Sequence, residues 1–121
     1  MSRKVLIVED NIINQELLSE ILERLKCTVE VADNGKIAVD KVEKNHYDLV
    51  LMDIQMPEMD GIEATKTIRK NSNEVPIVAI TASIFHSDQN ECTEAGMNGF
   101  LTKPYTFDQV KEMIAKFLSE S

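Results

Sequence analysis

Three short runs of almost uninterrupted apolar residues constrain the fold of this chain more than any other feature. They cover residues 5–8, 49–52 and 77–80. A strand exposed on one face alternates apolar with polar residues, whereas a strand buried on both faces does not. The runs therefore predict the central strands of a parallel sheet that helices cover on both sides.

Helical patterns separate these runs from two further strand-like segments. We place the five strands at residues 4–9, 28–32, 48–53, 76–81 and 99–103. The first helix is predicted from an apolar stripe of Ile13, Leu17, Ile21 and Leu25, with Leu18 and Leu22 beside it. The last helix is predicted from Phe107, Val110, Ile114 and Phe117, and it opens on a capping box of Thr106 and Gln109. This strict alternation implies an α/β fold, a three-layer α/β/α sandwich with a five-stranded parallel sheet and five helices.

Composition restricts the class of protein further. The 121 residues suffice for one domain, and the 43% apolar and 28% charged residues are ordinary for a soluble globular protein. The apolar runs are far shorter than a membrane span, and residues 1–4 lead into a strand rather than a signal peptide, so we predict cytoplasmic localisation without membrane insertion. A net charge of -8 argues against nucleic acid as a direct partner. Cys27 and Cys92 lack metal or redox spacing and are predicted to be reduced thiols.

Acidic residues follow two of the apolar strands. Glu9 and Asp10 follow the first, and Asp53 ends the third. In a doubly wound sheet of order 2-1-3-4-5 these strands are neighbours, and ligands bind beyond their carboxyl ends. Three clustered carboxylates repel one another unless a cation neutralises them, and oxygen ligands without nearby His or Cys favour Mg²⁺. The pattern therefore predicts a magnesium site formed by these three residues.

Two further strand ends add a hydroxyl group and a cation. Thr81 closes the fourth strand, and Lys103 closes the fifth. Beside a metal ion, these side chains could neutralise and hydrogen-bond a phosphoryl group, with Asp53 as a possible nucleophile. Spacing alone does not distinguish a nucleophile from a metal ligand among the three acids.

Four segments together resemble the receiver domain of two-component response regulators. They read V-L-I-V-E-D-N at residues 5–11, M-D-I-Q-M-P-E-M-D-G at 52–61, P-I-V-A-I-T-A at 76–82 and G-F-L-T-K-P at 99–104. The resemblance covers residues 4–118 and implies the flavodoxin-like sheet order 2-1-3-4-5. The second segment is similar to receivers of hybrid histidine kinases.

The resemblance implies a role for each site residue. Asp53 would be the phosphoacceptor, and Glu9, Asp10, Asp53 and the backbone carbonyl of Gln55 would hold Mg²⁺. Lys103 would pair with the phosphoryl group, or with Asp53 before phosphorylation.

Two further residues match the switch positions of the family. The hydroxyl group of Thr81 would move onto the phosphoryl oxygen, and Phe100 would swing inward with it. The same resemblance implies a cis peptide bond between Lys103 and Pro104.

The function implied is that of a phosphorylation switch rather than a turnover enzyme. A histidine kinase or histidine phosphotransfer domain would donate the phosphoryl group, and a downstream protein would read the result. The chain would be a monomer or a phosphorylation-dependent dimer. We expect residues 1–121 to form a single receiver domain without linker or output domain, either acting alone or cut from a longer chain. The alternative is a pseudo-receiver that binds partners without accepting phosphate.

Overall fold

The computed structural model describes residues 3–54, 60–82 and 86–118 of the chain, with the side chains of residues 86–89 excluded. Five strands and five helices alternate along it. The strands are β1 (Arg3–Val8), β2 (Cys27–Ala32), β3 (Leu49–Asp53), β4 (Ile77–Thr81) and β5 (Gly99–Thr102). The helices are α1 (Ile12–Arg24), α2 (Gly35–Lys44), α3 (Gly61–Lys70), α4 (His86–Ala95) and α5 (Phe107–Leu118). Each predicted strand boundary lies within one residue of the observed one.

The sheet is parallel throughout and has the predicted order β2-β1-β3-β4-β5. Residues of β1 and β3 alternate between two apolar cores. Leu6, Val50 and Met52 pack with α2, α3 and α4 on one face, and Ile7 and Leu51 pack with α1 and α5 on the other. Helices cover both faces of the central strands, so no residue of their apolar runs faces solvent. This explains why their sequences are continuously apolar rather than alternating.

The wide apolar stripe predicted for α1 is only partly buried. Leu18 and Leu22 form the buried face, whereas Ile13 and Leu17 are 70% and 52% exposed. Two parallel ridges of apolar residues run along this helix, and spacing alone does not tell which ridge faces the sheet. Ile21 and Leu25 pack against the core, so only the N-terminal part of the stripe, at Ile13 and Leu17, is left on the surface. In α5, Phe107 is likewise exposed, while Val110 and Ile114 are buried as predicted.

Side chains fix the helix ends that lie near the carboxyl edge of the sheet. The side-chain oxygens of Asn11 and Asp60 accept backbone hydrogen bonds at the starts of α1 and α3. The predicted capping box of α5 is confirmed, with Thr106 and Gln109 bonded reciprocally. Each of these helices therefore begins at a defined residue directly above the strand ends.

Arg69 anchors the turn that leads into β5. Its guanidinium group donates hydrogen bonds to the carbonyl of Gly96 and to Oδ1 of Asn98, and that same oxygen accepts from the backbone of Ile77. Gly96 has a φ of +107°, and a Cβ there would lie 2.8 Å from Cγ of Arg69. The close approach requires glycine, and the anchored turn sets the position of β5 and of the residue that follows it.

Cys27 and Cys92 are both buried free thiols. Within the described part of the chain, no helix combines the length and apolar character needed to cross a bilayer.

Candidate functional site

The three predicted acidic residues converge at one edge of the sheet. Asp53 ends β3, and Glu9 and Asp10 immediately follow β1, which pairs directly with β3. One carboxylate oxygen from each residue lies within 4.8 Å of the other two. Glu9 and Asp53 are only 3% and 4% exposed, whereas Asp10 is exposed to solvent. The site thus combines two buried carboxylates with a third that faces solvent.

Lys103 supplies a cation to these carboxylates. Its Nζ lies 3.2 Å from Oδ2 of Asp53 and 3.5 Å from Oε2 of Glu9. Strand β5 ends at Thr102, one residue earlier than predicted, so the Lys103 side chain reaches the site from the connecting loop. The peptide bond between Lys103 and Pro104 is cis, as the resemblance predicts.

Burial and charge shift the acid–base properties of the site. Burial, followed by the hydrogen bond and the charge of Asp53, raises the pKa of Glu9 to about 7. Burial by itself lowers the pKa of Lys103, but the carboxylates of Asp53 and Glu9 outweigh it and the net shift is upward. Without a further cation, the site therefore favours a proton on Glu9 and keeps Lys103 charged.

The donor set fits a hard divalent cation. Three carboxylates face a single ammonium group among the described residues within reach, which leaves an excess of negative charge around two buried acids. All three ligands are carboxylate oxygens, the type that Mg²⁺ prefers, and the exposed side of the site at Asp10 gives room for retained water ligands. The fourth predicted ligand, the backbone carbonyl of Gln55, lies outside the described residues.

The two predicted switch residues, Thr81 and Phe100, lie on the neighbouring strands β4 and β5. Thr81 is the buried last residue of β4, and since Asp53 aligns with Ile80, Thr81 stands one residue beyond Asp53 on the adjacent strand. The backbone carbonyl of Thr81 accepts a 2.8 Å hydrogen bond from the backbone nitrogen of Lys103. Phe100 is half-buried and packs against the core on the α2, α3 and α4 side of the sheet.

Gly61 is a residue of the site that sequence reasoning did not single out. A Cβ at this position would lie 2.5 Å from the carbonyl oxygen of Asp53 and 2.9 Å from Cα of Ile54. Both are backbone atoms, which cannot yield as a flexible side chain can. The first residue of α3 must therefore be glycine for the helix to pack against the end of β3. The Asp-Gly pair that ends the segment at residues 52–61 was the available signal.

Comparison with known proteins assigns the family. The family model described as the response regulator receiver domain matches residues 5–115, and the chain belongs to this family. It is 44% identical, over 96% of its length, to hybrid signal transduction histidine kinase B of Dictyostelium discoideum, of which it covers 7%. It spans 19% or less of the length of the most similar curated relatives. The predicted resemblance to receivers of two-component phosphorelay systems, including those of hybrid kinases, is confirmed.

Solved structures agree with this assignment. The receiver domain of sensor histidine kinase PA1611 from Pseudomonas aeruginosa PAO1, with magnesium coordinated in its active site cleft, superposes with a TM-score of 0.91 at 34% identity, covering 99% of this chain and all of the other. The receiver domain of Ssk1 from Saccharomyces cerevisiae, crystallised with the histidine phosphotransfer protein Ypd1, gives 0.89 at 36% identity, covering 96% of this chain and 88% of the other. Receiver domains are signalling domains, and the chain shares their fold and acidic cluster.

Proposed function

We propose that this chain accepts a phosphoryl group from a phosphohistidine onto Asp53, in a Mg²⁺-dependent step of a two-component phosphorelay. The observation that carries the proposal is the pairing of Asp53 with Lys103 at 3.2 Å, beside two further carboxylates at the carboxyl edge of the sheet. A purely structural buried acid would need one compensating cation. Here Glu9 shares the same cation at 3.5 Å and the carboxylate of Asp10 lies beside both acids, which is an arrangement suited to binding a metal ion and a phosphoryl group.

The transfer exchanges one bond to phosphorus for another. A carboxylate oxygen of Asp53 forms a P–O bond as the P–N bond of the phosphohistidine breaks, and the electron pair of that bond returns to the imidazole. Glu9, Asp10, Asp53 and the carbonyl of Gln55 would hold Mg²⁺, which when bound neutralises charge on the transferring oxygens. The ammonium group of Lys103 is already in place to donate a hydrogen bond to a phosphoryl oxygen once Asp53 becomes an acyl phosphate.

The response to phosphorylation would pass through Thr81 and Phe100. The hydroxyl group of Thr81, one residue beyond Asp53 on β4, would donate to a phosphoryl oxygen. Phe100 would then move inward, changing the face formed by α4, β5 and α5. Phe100, Met113 and Phe117 line a shallow groove of about 350 Å³ on that face, which offers a surface for a downstream protein.

The donor would dock on the exposed apolar ridge of α1, defined here as Ile12, Ile13 and Leu17. These side chains are among the most exposed large apolar groups of the described residues. A mainly apolar groove of about 440 Å³ continues from the ridge to the site and is lined by Asn14, Leu17, Ala82, Lys103, Pro104 and Tyr105. A helical phosphotransfer domain could bury its apolar surface here while presenting its histidine to Asp53.

The rest of the proposal concerns the chain as a whole. Residues 1–121 would act as one receiver domain in the cytoplasm, as a monomer or phosphorylation-dependent dimer, and not as an enzyme turning over a separate substrate. The competing possibility is a pseudo-receiver, which would bind partners through the same surfaces without accepting phosphate.

Phosphorylation by a small donor tests the proposal directly. The protein is incubated with acetyl phosphate and Mg²⁺, and the mass of the intact chain is measured. We expect the wild-type chain to gain one phosphoryl group. No gain is expected when EDTA replaces Mg²⁺ in the reaction or when the variant Asp53→Asn is used. The control is Asp40→Asn, which alters an exposed acid on α2 paired with Lys44 and should be phosphorylated normally. A wild-type chain that gains no phosphate would instead support the pseudo-receiver.

A further inference from the structure

The loop between β1 and α1 carries two of the three clustered carboxylates, and a side chain from α1 holds it. Residues 9–11 form this connection. The Nε2 atom of Gln15 donates one hydrogen bond of 2.6 Å to the backbone carbonyl of Glu9 and another of 2.9 Å to Oδ1 of Asp33. Gln15 thus joins the β1–α1 loop to the loop that follows β2.

The two partners of Gln15 fix the orientation of its amide group. A backbone carbonyl and a carboxylate oxygen are both acceptors, so the nitrogen rather than the oxygen of the side chain must face them. The two N–H bonds of the amide match the two acceptors, and neither donor is left over. Gln15 therefore acts as a defined bridge rather than as a surface side chain resting against the loop.

The bridge determines the direction of the peptide group between the two acidic residues. The carbonyl of Glu9 and the amide nitrogen of Asp10 belong to one planar unit, so holding the carbonyl holds the plane through which the chain enters Asp10. On the other side, the Asn11 side chain accepts from the backbone of Ile13 and Asn14, and its own backbone nitrogen donates to Oε1 of Glu9 at 3.2 Å. Asp10 is exposed but lies between two fixed residues.

We propose that Gln15 is a positioning residue for the magnesium site, acting through the peptide group between Glu9 and Asp10. The proposal rests on the metal site of the proposed function. Mg²⁺ requires near-ideal octahedral geometry, so a rotation of this peptide group displaces carboxylate ligands from the positions the ion accepts. Groups that orient metal ligands without touching the ion commonly affect metal affinity by a factor of ten or more.

The test measures Mg²⁺ affinity in the unphosphorylated protein. In Gln15→Met the side chain keeps its length, its neutrality and its preference for helix but loses both donors. Isothermal titration with MgCl₂ should show a dissociation constant for Mg²⁺ that is raised about tenfold. The phosphorylation rate with acetyl phosphate should fall at low Mg²⁺ and return to the wild-type rate at saturating Mg²⁺. The backbone amide of Asp10 should also become more mobile in ¹⁵N relaxation measurements without metal.

The matched control is Gln109→Met. It makes the same substitution and removes a side chain–backbone hydrogen bond at the start of α5, where Gln109 accepts from the backbone of Thr106. It should lower the melting temperature while leaving Mg²⁺ affinity unchanged. A Gln15→Met variant that melts earlier but binds Mg²⁺ as tightly as the wild type would overturn the inference, because Gln15 would then be only structural.

A second variant covers the case in which Gln15→Met does not fold. Asp33→Ala removes the outer anchor of the bridge and leaves Gln15 in place, so Mg²⁺ affinity should weaken in the same direction and by less. Failure of the proposed function is seen separately. A wild-type chain that binds Mg²⁺ but takes no phosphate contradicts phosphotransfer, while the affinity comparison still decides the role of Gln15. A wild-type chain that binds no Mg²⁺ overturns both.

Discussion

Lys103 and Asp53 form an ion pair across the end of β4, the strand that lies between β3 and β5. Asp53 ends β3 and Lys103 follows β5, so the 3.2 Å contact between Nζ and Oδ2 passes over the end of β4 at Thr81. The same ammonium group also lies 3.5 Å from Glu9, which follows β1. One ammonium group therefore holds together the ends of β1 and β3, where the carboxylates of Glu9 and Asp53 would otherwise repel each other.

Lys103→Met should destabilise the protein in the absence of metal. It leaves Glu9 and Asp53 buried without their cation, and because Lys103 is partly exposed we expect a loss of about 2 kcal/mol in the free energy of unfolding. The measurement is urea denaturation in EDTA at pH 8. Lys44→Met, which breaks an exposed pair with Asp40, should be nearly neutral. Mg²⁺ should restore much of the stability of Lys103→Met, and an equal loss with and without Mg²⁺ would contradict the shared-charge interpretation.

Glu9 should make the metal-free protein less stable as the pH rises. Its pKa is raised from the ordinary 4.5 to about 7, so between these values the folded state binds more protons than the unfolded state. The unfolding free energy consequently decreases across this window, by about 3 kcal/mol from this group. Denaturation in EDTA between pH 5 and 8 should show the decrease in the wild type and not in Glu9→Gln.

The control for this pH dependence is Glu23→Gln, which alters an exposed acid on α1. It should follow the wild-type curve throughout. Above pH 7 in EDTA, Glu9→Gln should be more stable than the wild type. Parallel curves for the wild type and Glu9→Gln would mean that Glu9 does not hold the extra proton.

Gly61→Ala should disturb both the fold and the site. The added Cβ would meet the backbone carbonyl of Asp53 at 2.5 Å, so either α3 or the end of β3 must shift. We expect a loss of about 2 to 3 kcal/mol by thermal or urea denaturation, with slower phosphorylation by acetyl phosphate. Gly99→Ala is the matched comparison, since its Cβ would meet the movable ring of Phe117 at 3.1 Å and should cost less. Equal losses for the two variants would refute the backbone argument.

Leu17→Asp should affect the rate of phosphorylation by a protein donor and not the rate with a small-molecule donor. It places a charge on the exposed ridge of α1, so transfer from a histidine phosphotransfer domain should slow about tenfold or more, equivalent to at least about 1.4 kcal/mol of docking energy. The rate with acetyl phosphate, which needs no docking surface, should stay unchanged. Ile37→Asp makes the same change at an exposed apolar residue of α2 and should leave both rates intact. Slowing by both variants would place the donor elsewhere.

The sequence carried enough information to predict the sheet and the convergence of its acids. Continuous apolar strands identify a doubly covered parallel sheet, and the carboxyl ends of neighbouring strands must meet at one edge. The positions of Glu9, Asp53 and Lys103 follow from that geometry. Their differences in exposure do not, because Glu9 and Asp10 are adjacent acids in the sequence and only the packed structure buries one of them.

Other features depend on packing that spacing does not encode. The two apolar ridges of α1 have the same period, so the exposure of Leu17 and burial of Leu18 could not be chosen in advance. The bridge from Gln15 to Glu9 and Asp33 joins loops that are distant in the chain, and a glutamine in the first turns of a helix is unremarkable as a sequence. The role of Gln55 stays a prediction.

The 2.8 Å hydrogen bond between the backbones of Lys103 and Thr81 limits how a phosphorylation signal can leave the site. It extends the pairing of β4 and β5 one residue past the last strand position, so the two main chains are joined up to the point where the loops begin. A new phosphoryl group cannot draw Thr81 inward by sliding its strand without breaking this bond. We therefore expect the response to phosphorylation to begin with rotation of side chains such as that of Thr81. The main chains of β4 and β5 would stay joined and serve as a fixed support for that rotation.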